Sequence, residues 1–413
     1  MGYRSFCVIL NKHFAVMKKK YLIRIIVFLC FALSVHAQND SDTIVYLLTC
    51  KPGTETYSIY GHSAIRVVDR YSGTDMVYNW GVFDFNTPNF AWKFAKGRLD
   101  YMLDAGTMNN FLRIYFYEER GVISQRINLE PQSVRKLIEL INENLKPENI
   151  KYRYDFFYDN CATRIRDILE KAADGKIHYP PDITIPDNRT FRDMIGEYQK
   201  PYQWLKFGID LAAGSPSDKK ASFRDKMFLP LELQECLDKT VIRTDGRMVP
   251  LLQNPETLID YNMPVVKSNI LFAPEIVIAL IFVLLIIFIP FIRKKSLINS
   301  LDIFIFFIFS LLACFMLFFN FFADHLQTKM NLNIIWLNPL IILCLISLVM
   351  NKAGTIWFRL VFYISILFLL VSVLLPQEFN RAVVPLCLIL AFRSSARSAF
   401  EWNPFTVNEE KFI

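Results

Sequence analysis

Cys161 is the residue whose sequence setting most favours nucleophilic chemistry. It follows Asn160, a residue type that caps helices, and it opens a predicted amphipathic helix that stops at Asp174-Gly175. A thiol at a helix N-terminus meets the positive end of the helix dipole and free backbone N–H groups, which lower its pKa and could also stabilise an acyl oxyanion. Arg164, one turn further on, adds positive charge. We therefore expect a reactive thiolate, whereas the alternative for an isolated cysteine is a small buried apolar residue.

A cysteine nucleophile needs a base, and His62 is the best candidate. It follows Gly61 and starts a predicted strand, whereas His178 lies in a proline-rich stretch. Asn79, on the next predicted strand, would face the imidazole across a hairpin and orient it. Asp84 takes that role if the strand register differs. The predicted catalytic set is therefore Cys161, His62 and Asn79.

Other common catalytic and metal sites have no motif in this chain. There is no CxxC pair and no HExxH, so we expect no metal and no cofactor. There is no GxSxG motif for a serine nucleophile. The exported region has three cysteines, Cys50, Cys161 and Cys236, and an odd number leaves at least one thiol unpaired. Whether Cys50 and Cys236 form a disulfide is left open.

A mixed α and β pattern surrounds these residues over about residues 39–265. Alternating apolar residues predict strands and a helical period predicts helices, at Thr43–Thr49, Ser63–Asp69, Met76–Phe85, Pro131–Leu145 and 160–173. The aromatic segment Phe111–Glu118 is compatible with either element. Residues 178–190 are rich in proline and aspartate and predict a loop.

Residues 1–37 predict an upstream extension and an export signal. Lysines at 18–20 precede a short apolar core, Ile25–Leu33, and Val35 and Ala37 have side chains typical of a cleavage site after Ala37. The alternative is an uncleaved membrane anchor, and both place the chain from about residue 39 outside the cytoplasm. Six of the 46 basic residues and no acidic residue lie in residues 1–38, so 40 basic and 39 acidic residues remain. This balance excludes a nucleic-acid partner.

The last third of the chain predicts a membrane domain over 270–400 and a cytoplasmic tail over 401–413. Its apolar runs approach or reach the length that spans a bilayer, at Ile270–Ile292, Ile303–Phe322, Ile334–Met350, Ile356–Leu375 and Ala382–Phe392. The fifth run is short, so we expect it to continue into Ser394–Phe400. Arg393 and Arg397 would then extend to the interface.

Loop charge predicts the orientation of these five spans. The loops and tail expected inside the cell hold seven basic residues, namely Arg293, Lys294, Lys295, Lys352, Arg393, Arg397 and Lys411. The loops expected outside hold two, Lys329 and Arg381. One outside loop also has Asp324 and His325, beside Asn331 and Asn333. These are either ordinary loop polarity or the lip of a site that faces the exported domain.

Several blocks of this sequence resemble one protein family. They are Leu47–Gly53, Tyr60–Arg66, Tyr78–Phe85, Tyr154–Phe157, Asp159–Asp167 and Met227–Pro230. With five C-terminal spans behind them, they resemble the lipoprotein N-acyltransferases of Bacteroides, the Lnb type, over nearly the whole mature chain. The resemblance implies an α+β exported domain of the NlpC/P60-like, papain-related and circularly permuted fold. It also implies a multi-pass protein of the bacterial inner membrane, with the catalytic domain in the periplasm and a cytoplasmic C-terminus.

The resemblance further implies transfer of an acyl chain from a membrane phospholipid to the N-terminal amine of a diacylglyceryl-cysteine lipoprotein. Cys161 would be the nucleophile and His62 the base, with a thioester between two half-reactions. Asn79 would orient His62. Two alternatives remain: a membrane-tethered peptidoglycan amidase or endopeptidase with the same Cys–His pair, and a non-catalytic envelope assembly protein with an inert Cys161.

Overall fold

A computed structural model describes residues 43–181, 187–263, 266–352 and 354–398. The predicted export signal (residues 1–37) and the predicted tail (401–413) lie outside these residues. The described chain has an N-terminal α and β domain and a C-terminal helical region.

A seven-stranded antiparallel sheet organises the N-terminal domain. Its strands are β1 (Thr43–Cys50), β2 (His62–Asp69), β3 (Thr74–Val82), β4 (Asp100–Thr107), β5 (Val122–Arg126), β6 (Lys151–Arg153) and β10 (Glu256–Ile259). Their order across the sheet is β10-β5-β1-β2-β3-β4-β6. A small second sheet has the order β7-β8-β9, formed by β7 (Ile177–His178), β8 (Val241–Thr244) and β9 (Arg247–Pro250).

The predicted β2–β3 hairpin is present, with a turn around Gly73, whose φ of 71° favours glycine. The third strand ends at Val82, three residues before the predicted end, because its backbone turns at Gly81. The pairing with β4 shifts register there, and Gly81 has a φ of 91°.

Helices cover both faces of the large sheet. The helices of this domain are α1 (Phe90–Ala95), α2 (Met108–Tyr117), α3 (Pro131–Asn144), α4 (Cys161–Ala173), α5 (Phe191–Gln199), α6 (Gln203–Ala212), α7 (Phe223–Lys226) and α8 (Pro230–Asp238). On one face, Leu47 and Ile65 pack with residues of α3 and α4. On the other face, Leu48 and Ala64 pack with α2. Because successive strand residues point to opposite faces, both layers form from the same strands.

Two segments that the sequence left ambiguous or predicted as loop take defined forms. The aromatic segment Phe111–Glu118 lies in helix α2 as far as Tyr117, and Glu118 is the C-cap of this helix. Thr107 caps the start of the helix by accepting from the N–H of Asn110. The predicted loop 178–190 begins with His178 in strand β7. Residues 182–186 of that loop lie outside the described residues.

The C-terminal region has five helices among the described residues. They are α9 (Pro274–Phe288), α10 (Lys295–Leu317), α11 (Leu340–Val349), α12 (Thr355–Val371) and α13 (Val383–Arg397). In the part of the chain that the structure describes, three helical segments are long and apolar enough to cross a membrane, namely Pro274–Phe291, Lys295–Phe322 and Thr355–Leu374. Helices α11 and α13 are shorter, with 10 and 15 residues. The described residues therefore place helices at the five predicted apolar runs, and three of these helices have spanning length, so the prediction of five membrane spans stays a prediction.

The expectation that Arg393 extends to the membrane interface is wrong. Its side chain is 2% exposed and donates to both carboxylate oxygens of Asp302, at 2.6 and 3.0 Å. Arg397 donates to the same carboxylate, at 2.6 Å. Asp302 lies on α10, just before the predicted second apolar run, and sequence reasoning did not single it out. A buried carboxylate needs paired charges, so this cluster joins α10 to α13.

Amide side chains of the loop between α10 and α11 connect the two regions. Asn331 donates to the carbonyl oxygens of Leu211 and Ala212 at the end of α6, at 2.8 and 3.0 Å. Asn333 donates to the Leu211 oxygen as well, at 3.2 Å. Both asparagines are 1% exposed. These bonds use carbonyls that a helix end leaves without intrahelical partners, so they fix the N-terminal domain on the membrane helices.

Candidate active site

Asn160 holds the start of the Cys161 helix through four hydrogen bonds. Its side-chain oxygen accepts from the N–H groups of Ala162 and Thr163, each at 2.9 Å. Its amide nitrogen donates to the carbonyl oxygens of Phe156 and Phe228, at 2.7 and 2.8 Å. Asn160 is 2% exposed, so nothing in solvent replaces these bonds. The cap that the sequence predicted is therefore also tied to a distant loop, which fixes the position of the thiol.

The base candidate and its predicted partner are in contact. The Nε2 atom of His62 lies 3.2 Å from the Oδ1 atom of Asn79. Because this oxygen can only accept, Nε2 carries the hydrogen and Nδ1 is left with a free lone pair. Asp84 does not take this role, since its carboxylate accepts from the backbone N–H of Asn86 in a turn beyond the strand.

The strand that begins at His62 also brings the base and the thiol together. The backbone N–H of Ser63, the next residue, points to the Cys161 sulfur. Cys161 also packs on Gly81, where an added Cβ atom would lie 3.7 Å from the Cys161 Cβ. Because Gly81 has no side chain at this shift in strand register, space remains beside Cys161. The structure places Cys161, His62 and Asn79 in one site.

Burial shifts the pKa values of Cys161 and His62. It raises the pKa of the Cys161 thiol, and the N–H groups of Ser63, Ala162 and Cys161 offset this only in part. The expectation of a pKa lowered into the neutral range is therefore wrong. Burial also lowers the pKa of His62 to about 4, against an opposing effect of the Asn79 hydrogen bond. At neutral pH the site is therefore a thiol beside a neutral imidazole.

The cation near the thiol is Arg120 and not the predicted Arg164. Arg164 forms a two-point ion pair with Asp159 and stacks 3.7 Å above the Tyr152 ring, so its charge is already neutralised. The Arg120 side chain is 6% exposed and favours the thiolate of Cys161. Sequence reasoning missed Arg120 because it left the preceding segment unassigned. The feature of the sequence that points to Arg120 is a basic residue three positions after an aromatic helix.

Cys50 and Cys236 are free thiols, and both are buried. Burial raises the pKa of each to about 12. Neither lines the cavity at the site, whereas Cys161 does. Among the described cysteines of the N-terminal domain, Cys161 is thus the one accessible to a substrate.

An apolar cavity of about 840 Å³ opens at Cys161 and His62. This volume lies in the range of ligand pockets. Aromatic and aliphatic side chains form most of its wall, including Phe83, Phe90, Phe111, Ile114, Phe156, Ile209 and Phe319. Such a wall suits an acyl chain, because it removes apolar surface from water. His178 is not among the lining residues.

A loop of the membrane region forms part of the cavity lip. His325 and Gln327 line the cavity, and His325 lies 2.9 Å from the carbonyl oxygen of Phe94 through Nε2. Asp324 pairs with Arg98 at 2.6 Å. Of the four loop residues named from the sequence, the structure places His325 at the lip of the site, whereas Asp324, Asn331 and Asn333 do not line the cavity. Among the described residues, no group of three or more His, Cys, Asp or Glu side chains is arranged to hold a metal.

Comparison with protein families assigns the two regions independently. The family model described as the Lnb N-terminal periplasmic domain matches residues 33–193, and the model described as the Lnb transmembrane domain matches residues 266–402. The chain belongs to the Lnb family. It is a membrane protein whose periplasmic N-terminal domain has a mixed α and β fold, followed by a helical membrane region. No curated protein and no solved structure matches it at a significant level. The predicted family is confirmed.

Proposed function

We propose that this Lnb-family protein is a lipoprotein N-acyltransferase that carries the acyl chain on Cys161. The observation that carries the proposal is the position of the Cys161, His62 and Asn79 set at an apolar cavity walled by both the periplasmic domain and a membrane loop. Membership of the Lnb family agrees with lipoprotein N-acylation. The acyl donor is a membrane phospholipid, and the acceptors are diacylated lipoproteins.

The first half-reaction forms a thioester and releases a lysophospholipid. The Cys161 sulfur attacks the ester carbonyl carbon of the phospholipid as its proton passes to Nδ1 of His62. The carbonyl oxygen becomes an oxyanion near the N–H groups of Cys161 and Ser63. The C–O bond then breaks, and the leaving alkoxide takes the proton from His62. Asn79 holds the ring through Nε2, which leaves Nδ1 to act as the base.

The second half-reaction moves the acyl group to the lipoprotein. The N-terminal amine of the diacylglyceryl-cysteine attacks the thioester carbon, and His62 accepts a proton from the amine. The C–S bond breaks, the thiolate is protonated again and an amide is formed. One ester and one amine thus become one alcohol and one amide. Because both substrates are membrane lipids, tethering to one bilayer raises their effective concentration at the site.

The finer topology is part of the same proposal. The His62 strand precedes the Cys161 helix, which is the order of a circularly permuted NlpC/P60-like fold. We propose that the chain crosses the inner membrane five times and ends in the cytoplasm, with α11 and α13 as the short spans. The charge difference between the two sets of loops supports this orientation.

The cysteine–histidine–asparagine set by itself also suits amide hydrolysis of peptidoglycan. The apolar wall and the membrane loop at the lip favour a lipid substrate. A non-catalytic role would leave Cys161 unreactive, and the raised pKa of its thiol is the observation that agrees with this alternative. One experiment separates the acyltransferase from both alternatives.

The test is mass spectrometry of the N-terminal lipopeptide of lipoproteins from a host without another N-acylating enzyme. Cells expressing this protein are compared with cells expressing Cys161→Ala, and with Cys236→Ala as a matched control at a buried free thiol. We expect a third acyl chain on lipoproteins from cells with wild type or Cys236→Ala, and none on lipoproteins from cells with Cys161→Ala. Diacylated lipoproteins in all three, at equal membrane expression, would refute the proposal and direct attention to cell-wall cleavage. A third chain that persists in Cys161→Ala would refute the assigned nucleophile.

A further inference from the structure

Arg120 is fixed beside the site by the end of helix α2. The helix ends in a Schellman motif, in which the N–H of Arg120 donates to the carbonyl oxygen of Tyr115 and the N–H of Glu119 donates to that of Phe116. Glu119 supplies the left-handed residue of this motif, with a φ of 52°. The Arg120 guanidinium then lies over the Tyr115 ring, 4.8 Å from its centroid. The position of the cation is therefore set by backbone geometry and by an aromatic contact.

The hydrogen bonds of this guanidinium are incomplete. Its Nε atom donates to the carbonyl oxygen of Lys51 at 2.9 Å, and Nη1 donates to Glu118 at 2.8 Å. Nη2 is buried and has no partner among the described residues. A buried donor without an acceptor costs free energy, so a native structure keeps one for a reason. An arriving anion with several oxygens would remove this cost.

Arg120 is also the cation of the cavity. Among the described residues that line the cavity, it is the one lysine or arginine side chain, and His62 and Cys161 line the same space. Its partner Glu118 also lines the cavity, and the Glu118 side chain is 32% exposed. The carboxylate can therefore rotate toward water while the guanidinium remains in place. That movement would free Nη1 beside Nη2, which together match two oxygens of a phosphate.

We propose that Arg120 binds the phosphodiester of the acyl-donor lipid. This inference rests on the proposed function and deepens it, because it assigns the residue that selects a phospholipid over other esters. In a glycerophospholipid the phosphate lies only a few bonds from the ester carbon. A cation beside the nucleophile thus holds the headgroup while the acyl chain occupies the apolar part of the cavity. The phosphate replaces the Glu118 carboxylate on the guanidinium.

The test compares two acyl donors on the full-length protein in detergent micelles. One donor is a phospholipid, and the other is a p-nitrophenyl ester of the same fatty acid, which has no phosphate. The rate of Cys161 thioester formation is measured by mass spectrometry for wild type, Arg120→Gln and Arg120→Lys. Arg66→Gln is the matched control, since Arg66 also pairs with a carboxylate on this sheet but does not line the cavity.

We expect Arg120→Gln to lower the ratio of the phospholipid rate to the p-nitrophenyl ester rate by about ten- to a hundredfold, the effect of losing a charged hydrogen bond. Arg120→Lys keeps the charge and should lose less, whereas Arg66→Gln should leave the ratio unchanged. Glu118→Gln removes the ion pair and should keep the discrimination. An equal loss on both donors, or no loss on either, would overturn the assignment. So would a loss of discrimination in Glu118→Gln as large as in Arg120→Gln.

Two further measurements distinguish a failure of the proposed function from a failure of the Arg120 assignment. If wild type reacts with the p-nitrophenyl ester but not with the phospholipid, the proposed function fails before Arg120 is considered. Inorganic phosphate is also added to the p-nitrophenyl ester reaction at constant ionic strength. Inhibition of wild type but not of Arg120→Gln would mean that the site binds free phosphate, which would overturn the lipid-headgroup assignment. If Arg120→Gln does not fold, the ratio measured for Arg120→Lys decides.

Discussion

Acidification should destabilise the periplasmic domain through His62. Burial lowers the pKa of this histidine from 6.5 to about 4, so the unfolded chain binds a proton that the folded chain rejects between these values. The contribution is therefore present above pH 6.5 and is lost as the pH falls toward 4. Between about pH 7.5 and about pH 4.5, the change in the free energy of unfolding amounts to about 2 to 3 kcal/mol.

The assay follows thermal unfolding of the full-length protein in detergent at several pH values. Intrinsic fluorescence includes a signal from the periplasmic domain, because Trp80 is 1% exposed and donates to Asn144 at 2.7 Å. For a domain of this size, the expected free-energy change corresponds to a decrease in melting temperature of about 5 to 10 °C. Other groups titrate in the same range, so wild type is compared with His62→Gln, whose amide can still donate to Asn79. The difference between the two pH profiles isolates the histidine.

Wild type should lose more stability on acidification than His62→Gln. Parallel profiles of the two proteins would refute the reasoning, because they would mean that His62 titrates alike in the folded and unfolded chains. The activity gives an independent check, since the acid limb of the rate of thioester formation should lie near pH 4 if neutral His62 is the base. An acid limb near the ordinary histidine value would contradict the burial argument.

Substitutions at two further residues test how Cys161 and His62 are positioned. Asn79→Ala should lower acyl transfer about tenfold through loss of one hydrogen bond, while Asn79→Asp should retain transfer and move the acid limb to higher pH, because a carboxylate favours the imidazolium. Transfer that does not differ between Asn79→Ala and wild type would remove Asn79 from the site. Asn160→Ala should destabilise the domain by about 2 to 4 kcal/mol, since it loses the cap and leaves two carbonyls without donors. Thermal unfolding beside the exposed-site control Asn110→Ala checks this, and equal melting temperatures would contradict it.

Local patterns were sufficient for the elements that carry the candidate site. Asn160 before an amphipathic run predicted the helix start, because capping depends on residues within one turn. Alternation on either side of a tight turn predicted the β2–β3 hairpin and favoured Asn79 near His62. The end of β3 was placed too late, because a bulge at Gly81 depends on pairing with β4 and not on the strand's own residues.

Charge pairing could not be predicted in the same way. Arg393 and Asp302 are 91 residues apart. The position of Arg393 at the end of an apolar run predicted a side chain at the membrane interface, because the run does not show the buried carboxylate that pairs with it. The position of Arg164 one turn after Cys161 predicted a positive charge that acts on the thiol, although Asp159 neutralises this charge. An arginine's role depends on which carboxylate is nearest in space, which spacing along the chain does not specify.

By itself, the sequence determined the identity of the nucleophile and base candidates, the family, and the division into an exported domain and apolar helices. These follow from residue type, short-range spacing and apolar length, all of which are local properties. The tertiary structure alone decided that the thiol is buried enough to raise its pKa, that Arg120 is the nearby cation, and that a loop of the membrane region forms part of the cavity lip. These depend on solvent exclusion and on contacts between distant segments, because desolvation and Coulomb energies are set by distances in space.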